Sequence, residues 1–302
     1  MEMNREDKTT YLNLNKKLFF RILLLILLGF VCYQLQRRLV HFDAIVLKNP
    51  LLLVVAMLLI PINFLLEFLK FKTTMNERGM NHVQLLRSLF CQGIIVSFFT
   101  PSLLANSFGR INFSDWTKNS EILAGSLVQN MAQFGVSIGF AAVSLFFLDT
   151  GSFAFLRYLF IPLGIGCYLF YFFGQYLFRT AYSKYFQKFK SSFNLTKDRI
   201  PVLFYSFVRY LVFSAQFHLL LAAFGMEFKF IQIFVLMLSY GIITLSPSIL
   251  FGKIVIRESV SVAVFCTFGF PAECVLVTAF ATWVFNVVVP MLFSLIYLGI
   301  RK

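Results

Sequence analysis

Charge is what this sequence has least of. Only 13% of its 302 residues are Asp, Glu, Lys or Arg, against roughly a quarter in a soluble domain. Metal-binding and nucleophilic side chains are also sparse. The three histidines, His41, His82 and His218, never reach metal-ligand spacing. The five cysteines, Cys32, Cys91, Cys167, Cys266 and Cys274, form no CxxC pair and read as small apolar filler. There is no HExxH, P-loop or GxSxG, so zinc-enzyme, ATPase and hydrolase readings have no motif behind them, and neither a cofactor nor a metal is expected. The longest polar connection, residues 178 to 201, is too short to fold as a soluble catalytic domain. The chain is therefore not expected to be an enzyme.

What is abundant is apolar surface: 59% of the residues are hydrophobic, and 18% of all residues are aromatic. Apolar runs recur at Leu18–Leu35, Leu51–Leu69, Leu85–Leu104, Ile122–Leu148, Phe153–Phe178, Val202–Phe224, Phe230–Leu250 and Cys274–Ile300. A helix of about 18 residues or more reaches across a hydrocarbon layer roughly 30 Å thick. The expected fold is all-α, a polytopic integral membrane bundle of about six to eight spans. Residues 1–17 form a polar N-terminal segment and 18–302 a single transmembrane domain. The first run ends in "VCYQLQRR" with no small-residue cleavage site, so it reads as a retained span.

The net charge of +14 has no soluble platform on which to meet nucleic acid, and positive connections mark the cytoplasmic side. Residues 178–201 carry Arg179, Lys184, Lys188, Lys190, Lys197 and Arg199 against Asp198, which puts that loop inside. It is either an ordinary positive-inside loop or a basic amphipathic helix on the inner leaflet. Lys70–Arg87 and Asn106–Ser120 also belong inside. Both fit only if Leu85–Leu104 enters and returns, and Arg301–Lys302 fits if residues 232–270 dip in from outside. Arg37, Arg38 and Lys48 then fall outside. The alternative is eight plain crossings. The expected location is the plasma (cytoplasmic) membrane, multi-pass, with the N-terminus cytoplasmic.

The same two segments are broken in the same way. "FFTPSLLANSFGR" (98–110) and "TLSPSILFGKIVIRES" (244–259) each carry hydroxyl, proline, serine, branched aliphatic and leucine in order, then glycine and arginine. Pro101 and Gly109 mark the first break; Pro247 and Gly252 mark the second. Proline removes a backbone donor, and freed backbone groups in hydrocarbon must be buried in protein or line a cavity. Paired breaks divide the domain into half-repeats, roughly 50–178 and 201–300, as in transporters built from inverted repeats. Two simple kinks are the alternative.

Charge inside an apolar run is costly and normally faces a cavity or a partner. Arg110, Lys253, Arg257 and Glu258 stand at or beyond the breaks, and Arg209 lies inside its run, where it either faces a groove or snorkels to the interface. Ser126, Gln129, Asn130, Gln133 and Ser137 share one helical face; Thr278, Thr282, Asn286 and Ser294 share another, with Pro290 in register; Ser206, Arg209 and Gln216 form a third. Each stripe alone is helix-to-helix glue; together with the breaks they predict a polar groove. The arginine fork suits phosphate. Arg110, Arg257, Glu258, Arg209 and Lys253 are thus the expected lipid-headgroup ligands, with Gln129, Asn130, Gln133 and Asn286 lining the groove. Glu121, Glu258 and Glu273 would either balance a cationic headgroup or pair with the arginines.

"SPSILFGKIVIRESVSVAVFCTFGFPAECVLVTAFATWVFNVVVPMLFSLIYL" and "FTPSLLANSFGR" with "SLVQNMAQFGVSIGF" resemble the lysylphosphatidylglycerol synthase transmembrane region family. The first motif has Ser102, Leu103 and Leu104 where that family has a glycine pair and an acidic residue, and Val255 stands where glycine is common. The resemblance implies a flippase-like protein without the soluble aminoacyltransferase domain, moving an anionic or aminoacylated phospholipid between leaflets. It implies membrane phospholipids as partners and a separate lipid-modifying enzyme as a further one. Two alternatives stay open: an enzyme acting on a lipid or polyprenyl carrier, and a non-transporting partner of a lipid-modifying enzyme.

Overall fold

The computed structural model describes residues 47–99, 105–111, 116–148, 155–177, 199–246 and 252–300. These are helical, with no strand among them. In order they form α1 (Pro50–Glu77), α2 (Val83–Phe99), α3 (Ala105–Arg110), α4 (Trp116–Phe147), α5 (Leu156–Leu177), α6 (Arg199–Ala223), α7 (Ile231–Leu245) and α8 (Gly252–Thr267). Then α9 (Ala272–Trp283) runs through a π-turn (Val284–Val288) into α10 (Val289–Ile300). Five stretches are long and apolar enough to cross a membrane: α1, α4, α5, α6 and the continuous α9–α10. The chain is a helical membrane protein.

α1 shows how the sequence sets the packing. Leu51, Leu58 and Leu65, seven residues apart, are exposed, while Ala56, Asn63 and Lys70, at the same spacing, are buried. Apolar side chains face outward and polar ones inward, as expected where lipid is the solvent. Lys70 corrects the sequence reading, which placed it in a cytoplasmic loop: the helix continues two turns beyond it to Glu77. Helix ends follow simple backbone chemistry. Gly225 and Gly269 take left-handed φ of 85° and 77°, which lets Met226 and Phe270 donate back to Leu221 O and Phe265 O and close α6 and α8.

α2 (17 residues) and α7 (15 residues) are shorter apolar helices than the five long ones; at 1.5 Å per residue they reach about 25 and 22 Å. α2 is the outgoing arm of a hairpin. A Cβ on Gly109 would sit 2.6 Å from Gln92 O and 2.9 Å from Gly93 Cα, so α3 lies back against α2. α8 lies back against α7 in the same way, with Arg257 over the Tyr240 ring. Ser246 is extended (φ −71°, ψ 124°), which ends α7 one residue before Pro247. Pro101 and Pro247 themselves lie outside the described residues, as do residues 1–46, 178–198 and 301–302.

The two hairpins pack as exchanged copies. α4 packs on α7, where Ala141 meets Gly241. Shifting both positions by the 147 residues that separate Arg110 from Arg257 gives 288 and 94. Val288 and Ile94 indeed share one apolar cluster, where α2 meets α10. Between the halves, α1 and α6 run antiparallel: Asn49 N bonds Ala223 O, Gln216 reaches Ala56 O, and Arg209 reaches Asn63. Each seven-residue step along α1 is met by seven back along α6. The same shift carries Asn63 to 210 and Arg209 to 62, nearly onto each other. The Asn63–Arg209 pair lies where α1 and α6 meet, between the two hairpins.

Candidate functional site

The site is built around that pair. Asn63 lies 13 residues into α1 and Arg209 lies 10 into α6, about 20 and 15 Å from the respective helix starts. Arg209 Nε donates to Asn63 Oδ1 at 2.8 Å, and its Nη1 lies 3.0 Å from Glu67 Oε2 and 3.3 Å from Gln133 Oε1. Glu67 also takes Lys70 Nζ at 2.7 Å. Asn63, Glu67 and Lys70 occupy one face because their spacings of four and three residues are helical. In a low dielectric such a cluster holds together only because every charge has an opposite or a dipole beside it.

The cluster extends along a line of amides. Asn63 Nδ2 donates to Asn286 Oδ1; Asn286 Nδ2 donates to Gln216 Oε1 (2.5 Å); Gln216 Nε2 donates to Ala56 O (2.9 Å). Asn286 also donates to Thr282 O at 3.0 Å. It sits in the π-turn for a local reason: Pro290 has no N–H and its ring clashes with the carbonyl four residues back, which is that of Asn286. The extra residue in the turn relieves that clash.

Arg110 is almost fully buried, 1% exposed. Its guanidinium lies 4.2 Å over the Phe71 ring and 5.8 Å from Phe90, within attraction range of an aromatic face. Nη1 donates to Ser126 Oγ (3.2 Å) and, at longer range, to Gln129 Oε1 (3.5 Å). Its charge also acts on Glu67. Arg257, by contrast, sits over Phe213 (4.9 Å) and Tyr240 (5.5 Å). Phe71 is two turns beyond Asn63 toward the Glu77 end of α1; Phe213 is one turn beyond Arg209 toward the Ala223 end of α6. Because the helices are antiparallel, the two arginines lie on opposite sides of the central pair.

The expected residues therefore divide. Arg209, Gln133 and Asn286 come together in one network, and Gln129 joins Arg110. Asn130 is half-buried on the same helix. Arg209 is half-buried, its side chain 27% exposed, and is held by three partners, Asn63, Glu67 and Gln133. Glu258 is buried and lines a cleft of about 340 Å³ between α8 and α9 with Val255, Ser259, Val262, Ala272, Glu273 and Leu276. The carboxylate that pairs with Arg209 is Glu67, not Glu121, Glu258 or Glu273. Gly109 is where the first hairpin closes, and Gly252 opens α8; the Lys253 side chain lies outside the described residues. Thr282, Ser294 and Ser137 turn their hydroxyls onto carbonyls of their own helices. Asn63, Glu67 and Lys70 were missed. The signal was their spacing, and the positive-inside rule had already claimed Lys70 for a loop.

Elsewhere, charged side chains tie helix ends. Arg157 donates to Leu145 O and Leu148 O, the C-terminal carbonyls of α4. Arg199 Nη1 donates to Tyr171 O and Tyr171 Oη to Arg199 O, which fixes α5 to the start of α6.

Fold and site together define a membrane protein with a charged network inside the bundle and an arginine-bearing hairpin on either side of it. No family model, no curated protein and no solved structure matches the chain.

Proposed function

We propose that this protein passes the headgroup of an anionic or aminoacylated phospholipid between leaflets. The observation that carries the reading is the placement of Arg110, Arg209 and Arg257 on successive levels of one bundle, with Arg209 between the other two. Among the described residues of the inner cluster, Lys70 and Arg209 share one carboxylate, Glu67, while Arg110 is held by neutral partners and aromatic faces. That excess of cations favours an anion. Glu67 holds Arg209 when no headgroup is present, and a phosphate arriving at Arg209 replaces it. The exchange of one anion for another keeps the half-buried Arg209 neutralised throughout, which avoids the cost of an unpaired charge inside the bundle.

In the membrane this places the 83–110 hairpin on the cytoplasmic face and the 231–267 hairpin on the outer face of a multi-pass plasma-membrane protein. It fits a lysylphosphatidylglycerol synthase-like transmembrane region, with phospholipid as cargo and a separate lipid-modifying enzyme as supplier. With no nucleotide-binding motif in the sequence, exchange is downhill or coupled to an ion gradient through a carboxylate such as Glu258. The test is exchange of a headgroup-labelled phosphatidylglycerol between the leaflets of liposomes holding the purified chain. Fast exchange with wild type, abolished by Arg209→Ala and reduced at least tenfold by Arg110→Ala and Arg257→Ala, supports the reading. Equal exchange in protein-free liposomes refutes it.

A further inference from the structure

Buried donors normally have acceptors, and each one left without costs on the order of 1–3 kcal/mol. Four such atoms lie on α3 and the stretch of α4 packed against it: Arg110 Nε and Nη2, Gln129 Nε2 and Ser107 Oγ have no acceptor among the described residues. Ser107 is 0% exposed, and Arg110 and Gln129 are each 1% exposed. They come from two elements that the fold fixes against each other, α3 and α4. Ser107 precedes Arg110 by one turn, and Gln129 follows Ser126, the other Arg110 partner, by one turn. Gln129 turns its carbonyl to Arg110 Nη1, so its amide N–H₂ is left to donate elsewhere.

We propose that these donors form a buried oxyanion site for a phosphate group. The Nε–Nη2 edge of the guanidinium binds two oxygens side by side. The Gln129 amide and the Ser107 hydroxyl supply further donors, more than the two oxygens of a carboxylate need and suited to a tetrahedral phosphate. Phe71 and Phe90 cover the flat of the guanidinium and keep competing water off it. The ligand is either a phosphodiester headgroup or free phosphate. As a lipid site the assignment rests on the transport reading; as an oxyanion site it stands on the four donors.

The experiment measures thermal unfolding of the full chain in phosphate-free detergent during titration with inorganic phosphate, with dihexanoyl phosphatidylglycerol, and with dihexanoylglycerol. Saturable stabilisation by the phosphatidylglycerol but not by dihexanoylglycerol is expected; a matching response to inorganic phosphate identifies the free anion as a ligand too. Ser107→Ala and Gln129→Leu each weaken that binding by about tenfold, as loss of one charge-assisted hydrogen bond does. Arg110→Lys keeps the charge, loses the fork and weakens it further. Ser107→Ala also leaves the ligand-free protein as stable as wild type or more so, which a structural hydroxyl would not do. Equal stabilisation by dihexanoylglycerol, or unchanged binding in both Ser107→Ala and Gln129→Leu, overturns the site. Phosphate binding without lipid exchange in liposomes refutes transport and leaves the site standing; exchange without phosphate binding does the reverse.

Discussion

The two hairpins carry the same arginine in different surroundings. In the first, Gly109 lets α3 lie directly on the backbone of α2 at Gln92 and Gly93, and Arg110 is driven into the interior. In the second hairpin the glycine of the motif, Gly252, stands five residues before the arginine, and the residue directly before Arg257 is Ile256. An isoleucine cannot make that approach, and Arg257 is only half-buried, resting on Phe213 and Tyr240. Arg110 finds hydroxyl and amide partners; Arg257 finds aromatic faces. A repeated sequence motif thus fixes where the chain turns, while one side chain next to the arginine decides how deep it goes and what it meets.

The largest effect is expected at the centre that both hairpins share. Glu67→Ala leaves Lys70 and Arg209 side by side without their shared carboxylate, and should cost about 3–5 kcal/mol, as removal of one member of a buried pair does. Loss of the folded peak in size-exclusion chromatography after detergent extraction, rescued in part by Glu67→Gln, would be the reading. Next is Gly109→Leu, which forces a side chain into backbone atoms closer than 3 Å; overpacking of this kind costs about 1–3 kcal/mol. Thermal unfolding should show that loss, whereas Ile256→Leu should leave the melting temperature nearly unchanged. If both behave alike, the difference between the hairpins is not set at this position. The smallest effect is Tyr240→Leu, which removes one of two aromatic faces from Arg257 and should cost about 0.5–2 kcal/mol. Phe71→Leu beneath Arg110 makes the same change, and since both rings are buried each variant also leaves a cavity that adds to this loss.

Much of the fold was legible because a membrane span is a composition signal. The apolar runs from Leu51 onward each coincide with a helix, and charge balance alone singled out the two short segments that form α2 and α7. The end of α1 was not legible. Lys70 looks like the first charge of a loop, and only its helical spacing from Asn63 and Glu67 betrays that the helix goes on. The polar stripes grouped Gln129, Gln133, Arg209 and Asn286, and each of the four meets a polar side chain from another helix. They could not name the partners, since Asn63 with Arg209 and Asn286 with Gln216 join residues far apart in the chain. The stripes also gave no hint that Thr282 and Ser294 would satisfy themselves on their own helices.

The central claim is that the two arginine hairpins open toward opposite faces and each returns to the face it came from. Four single-cysteine variants, Asn81→Cys, Ile111→Cys, Lys229→Cys and Ala272→Cys, in a chain whose native cysteines are replaced by alanine, test it with a membrane-impermeant maleimide in sealed, uniformly oriented vesicles. The account predicts that positions 81 and 111 label from one face, and 229 and 272 from the other. If 81 and 111, or 229 and 272, label from opposite faces, those segments cross the membrane and the paired-hairpin account is wrong.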